Sequence, residues 1–76
     1  MNRMPTEKEI ARSRTLYPAG TRVELIEMDD PFTTLKEGDQ GTVEMIDDLG
    51  QIHVRWDTGS GLALIPGIDR FRKVTA

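Results

Sequence analysis

The chain has no cysteine and a single histidine, His53. Without thiols there is no disulfide staple, no thiolate zinc site and no cysteine nucleophile, and the composition fits a reducing compartment. One imidazole without a second His or a Cys at ligand spacing does not build a metal centre. No apolar run approaches the roughly 18 residues that a membrane span requires. The start, Met1-Asn2-Arg3-Met4-Pro5-Thr6-Glu7, lacks an apolar core segment, so no signal peptide is expected and the protein is read as cytoplasmic. An excess of basic residues is also missing. Ten Lys and Arg stand against thirteen Asp and Glu, a net charge of −3. That balance argues against a general nucleic-acid coat, which needs concentrated cations, but leaves room for a local basic patch. There is no Gly-x-Ser-x-Gly elbow and no glycine-rich phosphate loop before a helix. Repeats and low-complexity tracts are absent.

What the 76 residues do contain is enough for one small domain. A chain of this length buries only about 60% of its unfolded surface, so its stability is expected to be marginal. The strongest local pattern runs from Gly41 to Asp57. Two runs rich in β-branched residues flank Asp47-Asp48-Leu49-Gly50, which has the chemistry of a tight turn. A four-residue loop there pairs Val43 with Val54, Glu44 with His53 and Met45 with Ile52. Val43, Met45, Ile52, Val54 and Trp56 then share the inner face, and Thr42, Glu44, His53 and Arg55 the outer one. Because side chains alternate with period two, a slip of one residue would destroy this separation.

The rest of the chain falls into place around that hairpin. Residues 5–16 are expected to form a helix, with Thr6 and Glu9 at capping-box spacing and Pro18 discouraging its continuation. Its apolar stripe is thin, and docking through Ile10 and Tyr17 is preferred to a free arm. Thr21–Met28 reads as the first strand, with Val23 and Leu25 inward and a bend at Ile26. A long loop follows to Gln40, and Phe32 is expected to fold back onto the body. Leu62–Ile65 reads as a fourth strand stopped by Pro66, which has no N–H to give. Pro66-Gly67-Ile68-Asp69 suits a 3₁₀ turn, and Phe71–Val74 a last strand. The expected fold is mainly β: residues 1–17 form an N-terminal helix and arm, and residues 18–76 a five-stranded SH3-like barrel, whose closure manages the sheet edges.

Several segments resemble a domain-of-unknown-function family of short phage and bacterial mobile-element proteins. They are Tyr17-Pro-Ala-Gly-Thr-Arg-Val-Glu-Leu, Met28-Asp-Asp-Pro, Gly41-Thr-Val, Asp47-Asp, Ile52-His-Val-Arg-Trp-Asp and Leu64-Ile-Pro-Gly-Ile-Asp-Arg-Phe-Arg-Lys. The resemblance implies a phage or mobile-element origin and no activity. Gly41-Thr-Val with Val54-x-Trp-Asp-x-Gly is also similar, more loosely, to Mind-bomb-type, KOW and Tudor barrels. Those families imply binding of peptides, nucleic acid or modified side chains. With only four aromatic residues, an aromatic cage of the Tudor kind is not visible.

Candidate sites follow from the same map. His53 is read as a cross-strand surface partner of Glu44. The acidic pairs Asp29-Asp30 and Asp47-Asp48 are read as turn formers, since neighbours in an extended chain point apart. A peptide groove between the long loop and the 3₁₀ turn would be lined by Phe32, Trp56, Pro66 and Phe71, with Asp29 and Asp30 at an acidic rim that suits a basic partner. The alternative is a nucleic-acid surface built from Arg22, Arg55, Arg70, Arg72 and Lys73. No nucleophile–base–orienter set can be assembled, and no cofactor or metal is implied. The expected function is a non-enzymatic binding module for a protein or peptide, with homo-oligomerisation through a sheet edge or the helix as a further possibility.

Overall fold

Five glycines of this chain hold a positive φ, and each marks a place where the backbone turns: Gly20, Gly38, Gly50, Gly59 and Gly67. Between those turns the computed structural model, which describes residues 5–28, 30 and 32–75, has one helix and four strands. The elements are α1 (Glu7–Leu16), β1 (Arg22–Glu27), β2 (Gln40–Ile46), β3 (Ile52–Trp56) and β4 (Arg70–Lys73). All strand pairs are antiparallel, in the order β3-β2-β1-β4.

The helix begins where its capping residues place it. Thr6 Oγ1 accepts from Glu9 N and Glu9 Oε1 accepts from Thr6 N, both at 3.1 Å. The reciprocal bonds satisfy two of the N–H groups that a helix start leaves unpaired. The helix docks. Ile10 is buried in the core, and Arg14 Nη2 donates to the carbonyls of Ile46 and Asp47 and to Asp48 Oδ1. Tyr17 meets Phe71 edge-on, with ring centroids 5.2 Å apart. The helix is thus held at both ends of its contact with the sheet.

Beneath it the core is a single cluster. Val23, Leu25, Val43, Ile46, Ile52, Val54, Trp56 and Leu64 supply its sheet side, and Leu35 closes it from the long loop. Gly50 lies directly under the helix. A Cβ there would sit 2.7 Å from Pro5 Cγ and 3.2 Å from Ile10 Cγ1. Its φ of +87° also suits the turn, which Asp47 ties together by accepting from the N–H groups of Leu49 and Gln51. One residue type meets both demands, because glycine alone has no Cβ and tolerates this conformation.

The hairpin pairs as expected from Thr42↔Arg55 to Val43↔Val54 and then departs from the expected register. Met45 faces His53 and Ile46 faces Ile52, so Glu44 is an extra residue. The bulge inverts the alternation beyond it. Met45, expected inside, is 53% exposed, and Ile46 takes its place in the core. A second irregularity falls in β1, where Leu25 pairs with Phe71 and Glu27 with Arg70. Ile26 is left over between them, at the bend anticipated from the apolar run.

Two expected elements take other forms. Leu62–Ile65 is not a strand: Leu64 exchanges both backbone bonds with Ile52, and the pairing stops there. The neighbouring groups are served by side chains instead of a ladder. Trp56 Nε1 donates to the Leu62 carbonyl at 2.8 Å, and Asp69 Oδ2 accepts from Ile65 N at 2.8 Å. The sheet therefore has four strands rather than five. The segment after it is a hydrogen-bonded turn through a positive-φ glycine rather than a 3₁₀ turn. Ile68 N and Asp69 N both donate to the Ile65 carbonyl, while Gly67 at φ +86° leaves the helical region.

Candidate functional site

Large aliphatic side chains at turn positions have no strand alternation to bury them. This chain has several. Leu49 stands in the hairpin turn, and Ile65 and Ile68 flank Pro66-Gly67. Leu16 ends α1 on its exposed side. Together with Tyr17, Ile26 and Phe71 they border a half-open cleft of about 800 Å³ between α1 and the Ile65–Phe71 segment. Its volume is in the range of small-ligand and peptide pockets.

The polar groups of the cleft divide into engaged and free. The Glu9 carboxylate closes the helix cap, and Asp69, only 7% exposed, holds the Ile65 N–H. Arg12 on the helix and Arg70 at the head of β4 also border the cleft, and neither forms a hydrogen bond or ion pair with a described residue. The charged side chains of the cleft that have no partner among the described residues are both cationic.

Of the residues expected to line a peptide groove, Pro66 and Phe71 border this cleft. Trp56 does not. It is 1% exposed, its indole N–H is bound to the Leu62 carbonyl, and it offers no open face to a ligand. Phe32 does not fold back; it is 91% exposed on the long loop. Asp30 ties that loop, accepting from Phe32 N through Oδ1 at 2.9 Å and from Thr33 N through its carbonyl. Asp29 lies outside the described residues. The expected groove between the long loop and the C-terminal turn is therefore not assembled. Asp30 does not border the cleft.

The arginines of the nucleic-acid alternative lie mostly on the outer face of the sheet, and two of them are engaged. Arg22 makes a two-pronged pair with Asp57, Nη1–Oδ1 at 2.8 Å and Nη2–Oδ2 at 2.6 Å, and also reaches Thr42 Oγ1 at 3.0 Å. Arg72 pairs with both oxygens of Glu24, which also accepts from Gln40 Nε2. Hydrogen bonding from Arg22 holds the Asp57 carboxyl below the ordinary carboxylate range, and bonding from Arg72 and then Gln40 does the same for Glu24. Arg55, Arg70 and Lys73 are exposed and make no such pair among the described residues.

His53 does not meet Glu44, because the bulge carries Glu44 away. Its Nε2 lies 2.9 Å from Asp47 Oδ2. That contact lowers the Asp47 pKa, helped by the backbone N–H groups of Gln51 and Leu49. The pair fastens the turn to the strand and borders neither end of the cleft. No group of three or more His, Cys, Asp or Glu that could hold a metal occurs among the described residues. No helix among them is long and apolar enough to cross a membrane.

Strand and helix patterning does not reveal the cleft. The signal was present in Leu49, Ile65 and Ile68, apolar residues in segments whose turn chemistry calls for polar ones.

The profile of one family, a domain of unknown function (DUF4314), matches residues 6–74. The chain belongs to that family. No curated protein and no solved structure matches it.

Proposed function

We propose that this DUF4314 domain is a non-enzymatic protein-binding module that receives a segment of its partner in the cleft between α1 and the Ile65–Phe71 turn. The observation that carries this reading is the cleft itself. Leu16, Leu49 and Ile65 are each about half exposed around one depression, although the chain has a sheet core in which aliphatics can be buried. Clustered exposed apolar surface rimmed by charge is the usual mark of an interaction site. The antiparallel sheet with its docked helix acts as the rigid support, in the manner of a partly open SH3-like barrel. The likeness to short phage and mobile-element proteins supports an accessory role in such an element, in the cytoplasm of a host.

The test compares the wild-type domain with Leu16→Asp in affinity capture from host lysate, followed by mass spectrometry. Leu16 is exposed at the helix end, so the variant is expected to keep its circular dichroism spectrum. A protein retained by the wild type and lost with the variant supports the reading. Equal recovery by both overturns it.

Nucleic-acid binding rests on Arg55, Arg70 and Lys73, since Arg22 and Arg72 are already neutralised by Asp57 and Glu24. Three free cations and a net charge of −3 provide a weak electrostatic footing. A gel shift at low salt that stays blank removes this second reading.

A further inference from the structure

The cleft is surrounded by two kinds of charge that behave differently. Its carboxylates are committed: Glu9 to the Thr6 N–H of the helix cap, and Asp69 to the Ile65 N–H that shapes the turn. Its guanidiniums are not. Arg12 stands on the helical wall and Arg70 on the opposite wall, both exposed and both without a partner among the described residues. Of the other described arginines, Arg14 pairs with Asp48, Arg22 with Asp57 and Arg72 with Glu24, and Arg55 on β3 stands exposed without a partner among the described residues. Two free guanidiniums facing one apolar depression, on a molecule with net negative charge, are complementary to carboxylates supplied from outside. The planar fork of arginine favours that choice, because it matches both oxygens of a carboxylate.

We infer that the occupant of the cleft is an acidic segment of another protein, with apolar side chains for the floor and carboxylates on its flanks for Arg12 and Arg70. The inference rests on the cleft reading given above and adds the chemistry of the ligand. The apolar contacts supply most of the affinity, and the two arginines select the sign of charge and speed the encounter. A basic segment would place like charges beside both walls, while the carboxylates of Glu9 and Asp69 already accept bonds from the chain itself.

The experiment is a display selection of random short peptides on the immobilised full-length domain. Recovered peptides are then titrated against wild type, Arg12→Glu/Arg70→Glu and Leu16→Asp. The expected outcome is enrichment of peptides that are net negative and contain several apolar residues. Their affinity should fall by about tenfold on reversal of the two arginines, as loss of two partly exposed pairs implies. Binding should also fall with Leu16→Asp, and Ile65→Asp serves as the second cleft variant if the first does not fold.

Enrichment of neutral or basic peptides that Leu16→Asp abolishes would overturn the acidic ligand and leave the cleft as the binding site. Peptides insensitive to both cleft variants, or no enrichment at all, would overturn both. If light scattering shows a wild-type dimer that Leu16→Asp converts to monomer, the occupant is a second copy of this chain and the inference fails.

Discussion

Phe32 and Gly50 show how little residue type alone decides. Phe32 is a large apolar side chain in a chain with few aromatics, yet it is 91% exposed and stands in solvent. Replacing it by serine removes very little buried area. Phe32→Ser is expected to change unfolding stability by less than about 0.5 kcal/mol in urea titration, as for other surface positions. Gly50 has no side chain and carries much more. Alanine there must adopt φ near +87° and drive its Cβ to 2.7 Å from Pro5 Cγ. Gly50→Ala should cost more than about 1 kcal/mol. Gly59 is the control, with φ +96° and nothing within 4 Å of an added Cβ. Gly59→Ala should lose only the conformational part, so the difference between the two urea midpoints measures the contact with the helix. The sequence shows that Gly50 suits a turn. That a helix lies on top of it is a long-range fact which turn chemistry does not contain.

At the level of elements, legibility followed the range of the forces involved. The helix start was readable because Thr6 and Glu9 solve a local problem three residues apart. The hairpin turn was readable because Asp47 and Gly50 serve neighbouring backbone groups. The bulge at Glu44 was not. Alternation assigns Met45 to the core, and only the need to bring Ile46 under the docked helix and opposite Ile52 inverts that order. The fourth expected strand failed for a related reason. Indole and carboxylate side chains from Trp56 and Asp69 took the backbone groups that a ladder would have used. The bulge is open to direct measurement. Ile46→Ala should lose about 2–4 kcal/mol, as for a buried aliphatic truncated to alanine. Met45→Thr, on an exposed strand position, should change little. The opposite order of the two midpoints would restore the unbulged register.

Across the whole molecule, a chain of side-chain contacts links elements that are distant in sequence. Arg72 of β4 binds Glu24 of β1, Gln40 of β2 binds the same carboxylate, and Arg22 of β1 binds Asp57 in the turn after β3. A separate contact joins His53 to Asp47. Glu24, Asp47 and Asp57 all have pKa values below their ordinary range in the folded state. Their ordinary values, which the unfolded chain shares, lie at about 4. A depressed folded pKa means that the unfolded state takes up protons first on acidification. The stabilisation is therefore complete above the unfolded values and disappears as pH falls from there through the folded ones. These contacts face solvent, so each is worth little alone and is weakened by salt. Their sum should still appear as a urea midpoint that is flat between pH 7 and about 5 and declines below about 4. The double variant Glu24→Gln/Asp57→Asn removes two of the three titrating groups while keeping their shapes. It should start less stable at pH 7 and decline less steeply in acid, so that the two curves converge. Curves that run parallel down to the lowest pH would mean that the outer network contributes nothing to the acid sensitivity of this fold.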